Sequence, residues 1–440
     1  MNKKIIQLAI PNIVSNITVP LLGLVDLTLM GHLNSDVFIG AVALGTVIFN
    51  FIYWGFGFLR MSTSGFTSQS YGQKDKVESF SILIRALLIS ALISLTLIAL
   101  QKPIGWLSFH LINGSSDVEE LANEYFRIRI WAAPATLGLY VMNGWFLGMQ
   151  NARFPMLISI LSNVFNILFS FLFVMVFHLT LKGVALGTVL AQYLGLIIAI
   201  VLFFRKYRPM IQLWDTKAIF RQTAIRNFFG VNKDIFIRTF CLVGVFTFFT
   251  SKSAGINDHI LAVNSLLLQF LMFFSYFVDG FAYAGEALSG KYFGRQRLDQ
   301  LRRLTQKLLL WGAFLAISFS VLFWIGNSVI LHILTNQKDL IATAGNYRLW
   351  IIALPLFAFS SYIWDGIYIG ATASVQMRNS MLAATFLVFI PVYFSLQSSL
   401  GNHALWLAMS LFLLSRGVFQ TFLFPSILRK QNAMAKTKIF

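Results

Sequence analysis

Residues 5–30 read IIQLAIPNIVSNITVPLLGLVDLTLM, and Asp26 is the only charged side chain among them. The run exceeds the roughly 20 apolar residues that a helix needs to cross the hydrocarbon core of a bilayer. A carboxylate at that depth is costly, so it is usually paired, protonated or turned towards a water-filled cavity. We therefore predict that the stretch is a membrane-spanning helix and that Asp26 is a functional residue.

The composition of the whole chain also indicates a membrane protein. Of the 440 residues, 57% are hydrophobic and 11% are charged, against about 25% charged in an ordinary soluble domain. This predicts an all-α integral membrane protein that crosses the membrane many times. Cys241 is the only cysteine, which excludes an intrachain disulfide.

The apolar runs predict twelve spans, in two halves of six. We place the N-lobe at 1–204, a basic cytoplasmic connector at 205–233, the C-lobe at 234–428 and a cytoplasmic tail at 429–440. The predicted spans are 5–32, 37–63, 80–100, 122–147, 155–177, 183–204, 234–251, 260–286, 308–333, 347–370, 380–397 and 404–425.

The basic residues predict the orientation. With both termini inside, the inner segments carry 23 Lys and Arg and the outer segments carry four, as the positive-inside rule requires. The formal net charge of +18 then reflects loops that meet anionic lipid headgroups, and we expect no nucleic-acid partner.

All six histidines fall at outer helix ends or loops in this topology. They could sense external pH or hold a metal, but no two have metal-ligand spacing, and interfacial placement of an amphipathic ring explains them equally. We predict no metal site. The six are His32, His110, His178, His259, His332 and His403.

The two halves share a pattern that indicates an internal repeat. Arg127 is followed by Pro134, Gly144 and Gly148, and Arg348 is followed by Pro355, Gly366 and Gly370, with spacings that differ by one residue. Copies with an even number of spans share one orientation, so an axis along the membrane normal relates them. The predicted architecture is therefore two pseudo-symmetric six-helix lobes around a central cavity.

Four acidic residues lie inside predicted spans: Asp26, Asp279, Glu286 and Asp365. Asp279, Tyr283 and Glu286 recur at i, i+4 and i+7, which places them on one helical face. Each buried carboxylate could have a transport role or could hold helices together by hydrogen bonds.

Polar residues also follow one face of the fifth span. Asn163, Asn166 and Ser170 lie at i, i+3 and i+7 there, with Asn143 on the fourth span and Thr188 on the sixth. Their amides and hydroxyls could hold a protonated Asp26 or ligate a cation, and helix packing is an alternative for the asparagines.

The chain resembles the multidrug and toxic compound extrusion (MATE) transporters, and within them the DinF subfamily. The resemblance runs from about residue 8 to 425. The stretches that carry it are residues 11–13, 16–26, 30–33, 58–65, 279–284, 377–381 and 401–408, which include Gly401-Asn402-His403-Ala404-Leu405-Trp406-Leu407-Ala408.

This resemblance implies the roles of several residues. Asp26 would be the titrating carboxylate, with Pro11 where the first helix bends. Asn143, Asn166 and Thr188 would be the polar neighbours of Asp26. Some relatives have a second Asp where this chain has Ser170, so a two-carboxylate cation site is in doubt.

In the C-lobe, the resemblance places Asp365 at an acidic position. We predict that Asp365 forms the C-lobe substrate site together with the residues on one face of the eighth span, Asp279, Tyr283 and Glu286. The acidic residue that some branches carry on the seventh helix is missing, because that span reads Phe240-Cys241-Leu242-Val243-Gly244-Val245.

The expected function is proton-coupled export of amphipathic, often cationic, organic compounds across the bacterial inner membrane by a functional monomer without a cofactor. Sodium coupling is the nearest alternative, since a carboxylate with Asn and Thr oxygens can ligate a hard cation.

Two other function classes are alternatives. A flippase for lipid-linked precursors would need a cationic cavity, and the intramembrane arginines Arg60 and Arg238 are the hint of one. An integral-membrane enzyme would need clustered His, Cys or paired carboxylates, which do not occur at usable spacing.

Overall fold

A computed structural model describes residues 1–31, 36–111 and 116–437. Within these ranges, the side chains of residues 19, 21, 22, 24–27, 29–31, 36, 111, 116 and 430–437 are not described. The described residues form helices and no strand, which confirms the predicted all-α class. Ten of the described helical segments are long and apolar enough to cross a membrane.

Eighteen α-helices make up the described part of the chain. They are α1 (Asn2–Gly31), α2 (Asp36–Gly55), α3 (Phe58–Gln73), α4 (Lys76–Ala99), α5 (Gln101–Leu111), α6 (Ser116–Arg129), α7 (Ala133–Gly148), α8 (Arg153–Phe171), α9 (Thr180–Tyr207), α10 (Thr216–Ile219), α11 (Gln222–Ile256), α12 (Asp258–Gly294), α13 (Leu298–Leu334), α14 (Lys338–Gly345), α15 (Arg348–Gly370), α16 (Ser374–Ala383), α17 (Ile390–Leu400) and α18 (Asn402–Thr437).

Some helix bounds differ from the predicted spans. The span predicted at 122–147 is divided into α6 and α7 by a 3₁₀ turn, Ile130–Ala132, and Pro134 stands in the first turn of α7. Proline has no N–H to donate, which explains why a new helix starts there. π-helical segments, Leu172–Val176 and Ala384–Phe389, follow α8 and α16.

The chain divides into two compact units. The N-unit is Val14–Phe228, and the C-unit combines Met1–Ile13 with Phe229–Phe440. The first boundary lies inside α1 and the second inside α11. The apolar runs of the sequence predict that residues 1–13 belong to the N-lobe and 205–233 to a connector. Those lobe bounds stay a prediction.

The basic connector is largely helical. After a 3₁₀ segment, Arg208–Leu213, the short helix α10 begins with Asp215, whose carboxylate accepts from the N–H groups of Lys217 and Ala218. Arg85 on α4 donates to the carbonyls at the other end of α10, from Nε to Ile219 (3.0 Å) and from Nη2 to Ala218 (2.8 Å). The guanidinium thus caps the C-terminal end of α10 and holds it on the N-unit.

Glycines allow a close helix crossing between α3 and α7 of the N-unit. A Cβ added at Gly144 on α7 would overlap the carbonyl oxygen of Arg60 on α3, and one at Gly148 would lie 2.9 Å from the carbonyl oxygen of Ser64. Only glycine lets two helix backbones approach so closely. Next to this crossing, the indole of the fully buried Trp145 donates to the carbonyl of Ser79 at 2.8 Å.

The C-unit contains the same crossing between α12 and α15. A Cβ at Gly366 would overlap the carbonyl oxygen of Ala282, and one at Gly370 would overlap that of Glu286. The matched contacts are separated by 222 residues throughout, namely Gly144 and Gly366, Gly148 and Gly370, Arg60 and Ala282, and Ser64 and Glu286.

Left-handed backbone positions repeat at the same interval. Lys74 (φ 61°) corresponds to Gln296 (φ 58°), and Gln150 (φ 62°) corresponds to Thr372 (φ 49°). These residues terminate equivalent helices, and non-glycine residues rarely adopt this conformation. The internal repeat inferred from the sequence is therefore present in the backbone of both units. It also makes Asn143 the counterpart of Asp365.

Candidate functional site

The first helix runs without interruption from Asn2 to Gly31, and Pro11 is buried within it. Close to this proline, Gly280 of α12 approaches α1: a Cβ there would lie 2.9 Å from the carbonyl oxygen of Ala9. The side chain of Asp26 lies outside the described residues, so its predicted role stays a prediction, as does a bend at Pro11.

Three of the predicted polar residues meet in the N-unit. Asn166 donates from Nδ2 to the hydroxyl of Thr188 (3.1 Å), and its Oδ1 accepts from Ser170 (3.4 Å). The hydroxyl of Thr188 in turn donates to the backbone carbonyl of Val184 (3.0 Å). Glycine makes the cluster compact, because a Cβ at Gly187 would lie 2.7 Å from Ser170 Oγ. The cluster joins α8 to α9. Its side-chain oxygens form hydrogen bonds to each other or to the backbone of α9.

The other two asparagines behave differently. Asn163 donates to the backbone carbonyl of Thr18 on α1 at 3.2 Å, so it fastens α8 to the first helix. Asn143 on α7 has a buried Oδ1 that accepts no hydrogen bond from any described residue. A buried amide oxygen of this kind normally has a donor, which marks Asn143 Oδ1 as an open acceptor in the described part of the N-unit.

Asp365 lies in a buried ion cluster of the C-unit. Its Oδ2 accepts from Nη2 of Arg238 on α11 and from Nη2 of Arg416 on α18, the latter at 2.7 Å. Its Oδ1 accepts from Gln420 Nε2 at 2.8 Å. The exposed fractions are 7% for Asp365, 6% for Arg238 and 2% for Arg416. Asp365 is therefore not an isolated negative charge in this structure.

The acidic face of α12 lies next to this cluster. Asp279 is half-buried and acts electrostatically on Tyr362, which interacts in the same way with Asp365. Tyr283, one turn further along α12, is also half-buried, and Glu286 is fully buried against α15. Asp279 and Asp365 therefore both lie near Tyr362. Glu286 follows Asp279 two turns further along α12.

Arg416 and Gln420 are the residues that the sequence analysis missed. Arg416 stands inside the apolar span 404–425, where a charge is as informative as Asp26 is in the first span. Gln420 follows at i+4 and so lies on the same helical face. A search for basic as well as acidic residues within spans would have found this pair.

Two predicted outer-side histidines make specific contacts. His259 bonds to the hydroxyl of Thr343 on α14 at 2.9 Å. The indole N–H of Trp350 donates to His403 Nδ1 at 3.0 Å, which ties α15 to the start of α18. No group of three or more His, Cys, Asp or Glu in the described ranges could hold a metal.

Comparison with known proteins identifies the family. The MatE family profile matches residues 11–172 and 235–394, one segment in each sequence half. The chain belongs to the MatE family. It is 37% identical to DNA damage-inducible protein F of Escherichia coli K12 over 95% of this chain and 90% of that protein. It is 22% identical to a probable multidrug resistance protein NorM of a Synechococcus strain, over 93% of this chain and 90% of that one.

Solved MatE-type structures share the fold. A crystal structure described as MATE in the bent conformation superposes with a TM-score of 0.84 at 17% identity, covering 100% of this chain and 97% of that one. The Vibrio cholerae MATE transporter VcmN in its bent form gives 0.85 at 15% identity, covering 98% of both chains. MatE proteins are membrane transporters, so this chain is a multi-pass membrane transporter of the multidrug and toxic compound efflux class and not an enzyme.

Proposed function

We propose that this MatE protein exports amphipathic organic compounds across the bacterial inner membrane in exchange for protons, with both termini in the cytoplasm and Asp26 as the proton carrier. The family supports export. The hydrogen-bonded cluster of Asn166, Ser170 and Thr188 is the observation that favours protons. Its oxygens already take part in hydrogen bonds to each other or to the backbone.

A sodium ion needs several oxygen ligands with compensating negative charge. Ser170 is neutral and fully buried, and its hydroxyl is bonded to Asn166. The predicted N-unit site therefore has one carboxylate, Asp26, and few uncommitted oxygens. A proton needs only that carboxylate.

Asn143 gives the proton cycle a second partner. A protonated carboxyl group has an O–H to donate, and the buried Oδ1 of Asn143 is an acceptor that no described residue fills. We propose that neutral Asp26 uses this acceptor and releases the substrate, whereas ionised Asp26 needs other donors. The apolar membrane span around Asp26 disfavours a charged carboxylate, which makes neutralisation easy. Pro11 weakens α1 and lets it follow this change of partners.

Sodium is the second candidate ion, because the open oxygen of Asn143 could also be a cation ligand. The two ions are separated by efflux of a fluorescent cation from proteoliposomes under one imposed gradient at a time. We expect a pH gradient alone to drive efflux by the wild type. A sodium gradient, with a protonophore clamping the proton gradient, should give no efflux above that of empty liposomes. Efflux driven by sodium under that clamp would reverse the choice of ion.

Asn143→Leu tests the acceptor. The change removes the amide oxygen but keeps a similar volume, so we expect proton-driven efflux to fall about tenfold or more, in line with the cost of losing a hydrogen bond to a buried polar group. Asn143→Asp restores an acceptor and should retain more activity than Leu. Asn163→Leu is the matched control, since Asn163 bonds to a backbone carbonyl, and it should affect thermal stability more than coupling. Equal coupling in Asn143→Leu and the wild type would remove Asn143 from the cycle.

A further inference from the structure

We propose that the Arg238–Asp365–Arg416 cluster of the C-unit is a binding site for an anionic group, a carboxylate, sulfonate or phosphate. The inference rests on the proposed export function and extends its substrate range from cations to acidic amphiphiles. Two sources share this chemistry: the acidic head of a transported compound and a free inorganic anion.

Unused donors carry the inference. Both guanidinium groups bond through Nη2 to the same oxygen, Asp365 Oδ2. The Nε atoms of Arg238 and Arg416 are buried and have no acceptor among the described residues. A guanidinium offers its N–H donors in a planar fork, and in both arginines the Nε–H of that fork is open. A planar anion with two oxygens matches that fork.

The charge balance points the same way. Two guanidiniums and one carboxylate leave the cluster one positive charge in excess, and Arg416 is only 2% exposed. An uncompensated buried charge is strongly unfavourable, whereas a purely structural ion pair would be neutral with its donors satisfied. An incoming anion supplies both the missing charge and the missing acceptors.

The surroundings fit an amphiphile more than a small polar ion. The guanidinium of Arg416 lies over the ring of Phe412, 5.4 Å from its centroid, and Tyr362 lies within electrostatic range of both arginines. Asp279 adds a negative charge near Tyr362. Asp365 bonds to both guanidiniums, while the Nε atoms of Arg238 and Arg416 stay available to a ligand.

Asp365→Asn distinguishes this site from a cation site by the sign of its effect. The substitution removes the negative charge that pairs with both guanidiniums, so a carboxylate ligand should bind severalfold more tightly. If Asp365 instead pairs with a cationic substrate, the same variant loses affinity for ammonium compounds and gains none for carboxylates.

The test is equilibrium binding to the full-length protein in lipid nanodiscs, without any ion gradient. The probes are two dansyl-labelled undecyl chains that differ only in the head group, one a carboxylate and the other a trimethylammonium. We expect the carboxylate probe to bind the wild type and to lose about tenfold or more of its affinity in Arg416→Gln, as expected for a lost charge-assisted hydrogen bond. Arg348→Gln, which removes an exposed arginine from α15, is the matched control and should bind as the wild type does.

Arg416→Lys covers the case in which Arg416→Gln does not fold. Lysine keeps the charge but lacks the fork, so the carboxylate should bind with intermediate affinity. Displacement of the probe by chloride or phosphate would show that free anions also occupy the site, and no displacement would assign it to the head group. Carboxylate binding that is absent, or equal in the wild type and Arg416→Gln, would overturn the proposal. Because no gradient is used, that failure is distinct from a failure of proton-driven cation efflux, which would count against the proposed function alone.

Discussion

Asp26→Asn is expected to abolish gradient-driven efflux while the protein still inserts and folds. The amide has nearly the same shape as the carboxyl group, but it does not titrate, so the carrier of the exchanged proton is lost. Efflux of a fluorescent cation from proteoliposomes under a pH gradient should fall to the level of empty liposomes. The monodisperse peak in size-exclusion chromatography should stay unchanged.

Asp339→Asn is the matched control for this experiment. Asp339 is an exposed carboxylate near the start of α14, and its amide variant should transport as the wild type does. Binding of the cation in the absence of a gradient should persist in Asp26→Asn, because only the proton step is removed. Coupled efflux at the wild-type rate by Asp26→Asn would contradict the assignment of Asp26 as the proton carrier.

Gly366→Val and Gly144→Val are expected to cause large losses of stability. At both positions the added Cβ overlaps a backbone carbonyl oxygen, of Ala282 and Arg60 respectively. A backbone atom in a packed helix has little freedom to move aside, so the two helices must separate. We expect each variant to lose about 3 kcal/mol or more of stability, at the upper end of the overpacking range. Thermal unfolding followed by size-exclusion chromatography measures this loss.

Gly244→Val is the control for the glycine experiment. Gly244 lies within α11, and a Cβ there would meet no atom within 4 Å, so valine should leave the unfolding temperature close to that of the wild type. The two repeat positions should respond alike, because they occupy equivalent crossings. A stable Gly366→Val variant would mean that α12 and α15 do not approach each other as closely as described.

The internal repeat shows how far a sequence pattern reaches. Gly144 and Gly148 pair with Gly366 and Gly370 in the sequence, and this identity was sufficient to predict a repeat. It did not reveal why glycine is needed. The reason is that α7 crosses α3 closely, as α15 crosses α12. The residues contacted, Arg60 and Ala282, have unlike side chains, so comparing the two sequence halves does not detect them.

The C-unit cluster shows what a single residue type leaves undecided. Asp365 was predicted from its own span, and its residue type alone suggested a partner for cations. The structure surrounds it with Arg238 and Arg416, 127 and 51 residues away in the chain. The charge that a ligand meets depends on all of these groups together and not on the carboxylate alone.

Properties that depend on composition and on local periodicity were determined by the sequence itself. They include the membrane class, the all-helical fold, the division into repeats and the family, because apolar run length and helical period are set by neighbouring residues. Only the tertiary structure decided which polar groups meet: Asn166 with Thr188, Trp350 with His403, and Asp365 with two arginines. Those pairings join distant segments, and they depend on helix crossings that no local pattern encodes.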